Sequence, residues 1–561
     1  MNPMRAPRMR THRLRAVIAA GAVAAMTIGA AGCAKSDRDS GAGKDTTGGT
    51  FIFAGAGDPK NFDPIFNDDG ESFRPIRQMY DTLVTHKPGT AELTGGLAES
   101  WANDPTGKIW TFKLRQGVKF HDGTALDATA VCANFDRWYN MKGEAAQSQM
   151  IYYADVFGGF AGSPDAVYDN CTAPDASTAV LTLKRYKGAF PGAFALTAFS
   201  IASPAAIKQY DGDTVKQSGD SFSYSAFATD HPTGTGAFTY GGWNKATGEI
   251  TLNRNPDYWG EKAKVDKMII KVIKDENTRK QELRAGTVQA IDFPAPADRK
   301  ALAGEGYHVL ERPAFNILYL GINQKNNPKL KDLRVRQAIA YALNRAQLVQ
   351  TKGPGGSAVA DQFLPSSVLG YAPDVQKYDY SVDKAKQLLA DAGATGLTLN
   401  FYYPTEVSRP YMPNPQEIFT VLANDLQAAG IKVTGVPRPW NGGFKDDVQQ
   451  FGKQDLHILG WTGDYNDPGN FVGTFFGRPK IEFGDQAMTD MFTAIDKADA
   501  TVDQAAKKAA FEQVNRDLAS KWLPAVPIWH APPALVTTKN VQGLVPSPLT
   551  AETFNTVSIT K

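Results

Sequence analysis

Arginine and aspartate set among aromatic residues, three cysteines and a scatter of histidines are the groups in this chain that could do chemistry. The six histidines beyond the N-terminal segment (His86, His121, His231, His308, His457 and His530) never stand at i, i+4, so no helical pair is spaced to grip zinc. No Gly-x-Ser-x-Gly elbow, no phosphate-cradling GxxxxGK[ST] and no complete GxGxxG occurs; GTGAFT after Thr233 lacks the third glycine. The common metalloprotease, serine-hydrolase and nucleotide-binding signatures are therefore missing, and no metal or cofactor is expected. A secreted hydrolase with a spatially assembled site stays open as the alternative class. Two segments place charge beside aromatic rings. SRPYMPNP (Ser408–Pro415) carries Arg409, a Pro that fixes the backbone after it, and Tyr411. GWTGDYNDPGNF (Gly460–Phe471) carries Trp461, Asp464 and Asp467. On residue types alone the first reads as an exposed loop Arg. The second reads as a turn rather than a catalytic carboxylate pair, because Asp, Asn, Pro and Gly cluster in it.

The cysteines and the N-terminus speak to compartment. Arg5, Arg8, Arg10, Arg13 and Arg15 precede an uncharged run of small apolar residues from Ala16 to Ala31. That run is short for a membrane span, which needs about 20 residues, and suits an export signal over residues 1–32. It ends in Ala30-Ala31-Gly32-Cys33, which resembles a bacterial lipobox, although Ala30 stands where that pattern prefers Leu. The resemblance implies lipidation of Cys33, with a plain secretory cleavage site as the alternative. Residues 34–49, AKSDRDSGAGKDTTGG, read as a flexible tether. Cys132 and Cys171 then remain as an even pair in an oxidising compartment and are expected to form a disulfide. Without the five Arg of residues 1–32, 55 basic residues face 58 acidic ones, a net charge of −3. Nucleic acid is not an expected partner at that balance.

The elements that must position these groups alternate strand-like and helix-like patterns. Thr50–Gly55, Trp110–Arg115, Ile250–Asn255 and Val265–Ile273 read as strands. In DLRVRQAIAYALNRAQLV, residues Val335, Ala338, Ile339, Ala342 and Leu343 line one helical face behind an Asp332 cap. NPQEIFTVLANDLQAAG repeats such a stripe through Ile418, Val421, Leu422 and Leu426, closes at Gly430 and leads into IKVTGV. SVDKAKQLLADAG carries a Ser381 cap and a Gly393 stop. The mixture predicts an α/β or α+β chain, and 561 residues exceed one ordinary core.

Six segments in order resemble the peptide-type extracellular solute-binding proteins of bacterial ABC importers, the dipeptide- and oligopeptide-binding family. They are LAESW (Leu97–Trp101), IWTFKLRQGVKFHDGTALDATAV (Ile109–Val131), HPTGTGAFTY (His231–Tyr240), ITLNRNPDYWG (Ile250–Gly260), LYLGINQKNNPKLKDLRVRQAIAYALNR (Leu318–Arg345) and the Gly460–Phe471 string already quoted. The resemblance spans about residues 50–560. It implies a two-lobed periplasmic-binding-protein fold with an inserted accessory domain. Lobe I would comprise 50–85, 200–312 and 522–561; the accessory domain 86–199; and lobe II 313–521. The crossings would fall near Phe315–Leu320 and Pro524–His530.

The same resemblance gives the two charged segments a use. Arg409 matches an Arg that holds the ligand carboxylate, a task for which a planar guanidinium suits both oxygens. Asp464 matches an Asp that pairs with the ligand α-amino group, while Tyr411 and Trp461 would wall the site. An Arg and an Asp so fixed would measure an extended dipeptide, which spans roughly 7 Å. The implied function is the capture of a short peptide and its delivery to a membrane permease by a monomer anchored to the membrane through Cys33. Other solutes known for the family, among them oligosaccharides, metal complexes, haem and glutathione, are the alternative ligands.

Overall fold

In this computed structural model, residues 47–219, 221–484 and 488–560 are described. The export segment 1–32, Cys33 and all but the last residues of the tether lie outside them. No helix among the described residues is long and apolar enough to cross a membrane.

Two sheets organise these residues. The first has seven strands in the order Phe238–Asn244, Glu249–Arg254, Lys267–Val272, Thr50–Gly55, Ala290–Asp292, Ala534–Thr537 and His308–Glu311. Thr50–Gly55 runs parallel to both neighbours, and its Phe51 and Phe53 are fully buried. The second has six strands in the order Ala358–Val359, Ala525–His530, Asn316–Ile322, Leu456–Thr462, Thr398–Thr405 and Lys432–Pro439. Every residue of Asn316–Ile322 is buried, as a central strand covered on both faces requires. A four-stranded antiparallel sheet (Ala98–Asn103, Ile109–Leu114, Thr178–Leu183 and Tyr168–Asp175) lies within the segment read as accessory. Its strand Ile109–Leu114 alternates between exposed and buried positions, the pattern of a half-buried strand.

The chain passes between the two large sheets twice, through residues 312–315 and 531–533. The second passage lies later than expected. Ala525–His530 pairs with Asn316–Ile322 in the six-stranded sheet, so the stretch from 525 to 530 sits with the second sheet. A buried apolar strand looks the same from sequence whichever sheet it joins, so the pairing itself decides its sheet. The two passages are tied together. Asn316 Nδ2 donates to the Ala531 carbonyl at 2.7 Å, and Ala531 N donates back to Asn316 Oδ1 at 3.0 Å. Arg312 N donates to the Pro533 carbonyl at 2.8 Å.

The cores divide differently from the chain segments. Phe51, Phe53 and Ile270 of the seven-stranded layer form one continuous apolar cluster with Trp110, Phe112 and Phe135 of the accessory segment. A second cluster, with Leu320, Ile339, Phe401 and Ile458, fills the six-stranded layer. Trp461 packs against both.

The helices follow their sequence signals, with one correction. The stretch after Asp332 is two helices, Leu333–Ala342 and Arg345–Lys352. The break falls at Leu343–Asn344, where Asn344 caps the second helix and its N–H donates to Asp425 Oδ2 at 2.9 Å. The apolar face is as read, since Val335, Ala338, Ile339, Ala342 and Leu343 are all fully buried. Asp332 and Ser381 cap their helices through side-chain bonds to Arg334 N and Lys384 N. Cys132, on helix Ala128–Tyr139, is joined to Cys171, on strand Tyr168–Asp175, by the expected disulfide.

Candidate functional site

A cavity of about 100 Å³ lies where the two large layers and the accessory segment meet. All four residues singled out in sequence line it: Arg409, Tyr411, Trp461 and Asp464. Each is held by local geometry. Arg409 and Met412 exchange backbone hydrogen bonds at 3.0 Å in both directions, closing a tight turn around Pro410 and Tyr411 just beyond strand Thr398–Thr405. The Tyr411 carbonyl accepts from Trp529 Nε1 at 2.8 Å, and its ring lies on Gly460. A Cβ at Gly460 would stand 2.3 Å from both the Tyr411 ring and the Ile317 carbonyl, so this strand position must be glycine.

Asp464 stands two residues beyond the end of strand Leu456–Thr462. Its backbone N–H donates to Asn470 Oδ1 at 2.7 Å. Its Oδ2 accepts from the Tyr152 hydroxyl at 2.8 Å and from Asn470 Nδ2 at 3.4 Å. Among the described residues no cation forms an ion pair with it. Withdrawal from water pushes its pKa up to about 6, against the hydrogen bonds from Tyr152 and Asn470 and the nearby charge of Arg77. Asp467 has the other fate that its turn composition suggests. It caps the short turn Pro468–Asn470 through Gly469 N and pairs with Lys507 Nζ at 2.6 Å. The two aspartates are thus separately engaged and form no catalytic pair.

Arg409 is not free. Its Nη2 sits 2.5 Å from Asp69 Oδ2, and its Nη1 is 3.8 Å from Glu71 Oε1. Its guanidinium lies 4.3 Å from the centre of the Trp440 ring, whose Nε1 donates to the same Asp69 oxygen at 3.1 Å. Asp69 is the N-cap of helix Gly70–Met79, with Oδ1 accepting from Glu71 N and Ser72 N. Beside it Lys445 Nζ meets Asp68 Oδ2 at 2.6 Å.

Behind the cavity runs a buried charge chain. Arg74 bridges Glu71 and Asp292, Asp292 meets Arg312 at 2.7 Å, and Arg312 meets Glu552 at 2.6 Å. Burial alone would raise Asp292, but Arg312 and Arg74 outweigh it and hold the carboxyl below its usual range. Arg77, one helical turn on, forms no ion pair among the described residues and donates instead to Thr197 Oγ1 and the Thr550 carbonyl. Burial pulls its pKa down to about 10.

Sequence reading missed this second wall: Asp69, Glu71, Arg74, Arg77, Tyr152 and Trp440. The Asp-Asp-Gly-Glu run that opens Gly70–Met79 is a readable helix start, but the partners of its Asp69 lie more than 300 residues away. Among the described residues no group of three or more His, Cys, Asp or Glu is placed to hold a metal.

Two layers joined by two short crossings, with a polar chamber between them, define a two-lobed binding protein of the periplasmic type. Comparison with known proteins agrees. Residues 92–483 match the family described as bacterial extracellular solute-binding proteins, family 5 (middle), and the chain belongs to that family. It is a family of solute-binding proteins, not of enzymes. The dipeptide-binding protein of Escherichia coli K12 is 29% identical over 523 residues, covering 91% of this chain and 94% of that protein. Heme-binding protein A of Haemophilus influenzae is 27% identical over 564 residues, covering 96% and 98%. The crystal structure of a dipeptide binding protein from Pseudoalteromonas sp. SM9913 in complex with Met-Leu has the same fold, with a TM-score of 0.81, 23% identity and coverage of 91% of this chain and 100% of that one.

Proposed function

We propose that this chain is the substrate-binding lipoprotein of an ABC importer, which captures short peptides, dipeptides first among them, between its lobes and delivers them to a membrane permease. In this reading lobe I comprises 50–85, 200–315 and 531–560, the accessory domain 86–199, and lobe II 316–530. The protein acts as a monomer held to the membrane through a lipid on Cys33. The observation that carries the ligand class is Asp464, a buried carboxylate on the wall of a small chamber that forms no ion pair among the described residues and whose pKa stays raised despite the charge of nearby Arg77. An ionised carboxylate withdrawn from water needs a cation, and a peptide's α-ammonium supplies one. Arg409 in the same chamber offers a donor fork for the other terminus. Trp461, Tyr411 and Tyr152 supply apolar walls that tolerate varied side chains. Relatives named for dipeptides support the reading. One relative is named for heme, which is the ligand that the first test below sets against a peptide.

Mass spectrometry of the solute released on denaturation tests the ligand class directly: di- or tripeptides are expected, and a sugar or a porphyrin would overturn it. Calorimetry then reads the termini. Arg409→Ala should weaken a free-acid dipeptide and affect its C-terminal amide much less. Asp464→Asn should weaken free-amine peptides and spare N-acetylated ones. Metabolic labelling with a fatty acid should mark the wild-type protein and not Cys33→Ser; an unlabelled wild type removes the anchor.

A further inference from the structure

The guanidinium proposed to hold the ligand carboxylate already holds a carboxylate of the protein's own. Asp69 belongs to the segment that leads into helix Gly70–Met79, packed on the seven-stranded layer. Arg409 and Trp440 belong to the six-stranded layer. Asp69 divides its oxygens between two tasks. Oδ1 caps its own helix, while Oδ2 crosses the cleft to Arg409 Nη2 and Trp440 Nε1. Asp69, Arg409 and Trp440 are each more than nine-tenths buried. This is therefore a desolvated bridge across the binding cleft, where a lost partner is felt strongly.

We infer that Asp69 is an internal rival of the ligand carboxylate for Arg409, so that this one residue sets how strictly the site demands a free C-terminus. The inference rests on the ligand role proposed above for Arg409. A free carboxylate that grips the guanidinium with both oxygens takes Nη2 from Asp69 and compensates with two charge-assisted bonds. An amidated terminus offers no charge, leaves the Asp69–Arg409 bond in place and binds beside it. Between ligands the rival thus works in opposite directions: it taxes the free acid, and it keeps Arg409 paired when an amide is bound. With no ligand present, the same bond holds the layers together and keeps part of the population in a state that excludes the free acid, lowering its apparent affinity by that fraction.

Asp69→Asn tests this. Asn caps a helix as well as Asp does, so helix Gly70–Met79 keeps its start while the charge is lost. The first measurement needs no ligand. Nitroxide labels on Lys262→Cys and Lys386→Cys, both exposed and one on each layer's side of the cleft, report the distance between layers by pulsed electron resonance. The ligand-free Asp69→Asn protein should shift toward longer distances, and Arg409→Gln should do the same; unchanged distributions in both overturn the inference whatever the ligand is. The second measurement is the ratio of affinities for a free-acid dipeptide and its C-terminal amide. Asp69→Asn should raise that ratio at least tenfold, by tightening the acid and loosening the amide. A ratio that stays level or falls makes Asp69 a support for Arg409 instead, and overturns the inference even if the distances shift. If the wild type binds neither form, the dipeptide reading falls first. Binding of the free acid gained in Asp69→Asn would then still support a rival, and continued absence would overturn it.

Discussion

Asp464 carries the sharpest single-residue consequence. Its ordinary value is 3.8 and its surroundings lift it to about 6. Only the ionised form attracts an ammonium. Affinity for a free-amine dipeptide should therefore fall as pH drops through about 6, by roughly tenfold per unit below it. Calorimetry between pH 5 and 8 reads this directly, and an N-acetylated peptide should show a flat profile. The stability effect has the opposite sense. A carboxyl whose folded value is raised contributes most below its unfolded value of 3.8, and that contribution is lost as pH rises through 6. Asp464→Asn should accordingly raise the melting temperature of the ligand-free protein at pH 7.5 while it removes ammonium binding. A variant that is less stable there would mean that the Tyr152 and Asn470 hydrogen bonds outweigh the desolvation.

At the scale of elements, two devices can be tested apart from binding. The disulfide ties helix Ala128–Tyr139 to strand Tyr168–Asp175 across 39 residues. Closing such a loop restricts the unfolded chain by roughly 4 kcal/mol in the entropy model. Cys132→Ala with Cys171→Ala should therefore lower the denaturation midpoint by a corresponding amount and leave ligand affinity within about twofold, because neither cysteine lines the cavity. Gly460 is the converse case, cheap in sequence and costly in space. Gly460→Ala should destabilise the protein by about 1–3 kcal/mol, as overpacked cores do, and should also weaken binding by pushing the Tyr411 ring into the cavity. Chemical denaturation and calorimetry on the same variant separate the two effects. These elements also show what sequence can reveal. Period and cap residues placed Leu333–Ala342, Pro415–Ala428 and Val382–Asp391 closely, because their signals are local. The break at Asn344 escaped because it depends on Asp425, a carboxylate from another helix. The site divides the same way. Arg409 and Asp464 were legible as motif residues, whereas Asp69 and Tyr152 matter through partners 340 and 312 positions distant. No window along the chain contains that information.

For the whole molecule, the two passages between layers decide what motion is available. Asn316 and Ala531 are bonded in both directions, and Arg312 binds the neighbouring passage through its backbone. A rotation between the layers would therefore turn the passages as a pair, with the few residues at 312–315 and 531–533 absorbing it. Asn316→Ala breaks both side-chain bonds and leaves the Ala531 carbonyl and N–H without their partner. It should cost about 1–3 kcal/mol in stability and broaden the interlayer distance distribution without removing the ligand contacts themselves. An unchanged distribution would place the pivot elsewhere.

The shared core of the seven-stranded layer and the accessory segment has a consequence for protons. Tyr152 lies in the one cluster that joins Phe135 and Trp110 to Phe51 and Phe53, while Asp464 stands just beyond a strand of the six-stranded layer. In the proposed reading, an opening that parts the Tyr152 hydroxyl from Asp464 would return that carboxylate to water and lower its pKa from about 6. An empty closure in mildly acidic medium must then draw a proton from the buffer onto Asp464, whereas closure around an ammonium does not, since the ligand brings the positive charge itself. Acidity thus favours the empty clasp and near-neutral medium the loaded one. A peptide captured near neutrality moves with almost no exchange of protons between protein and buffer, whereas the same capture near pH 5 releases them. The enthalpy of binding should accordingly track the ionisation enthalpy of the buffer at pH 5 and become nearly indifferent to it at pH 7, below the range in which the peptide's own amino group titrates.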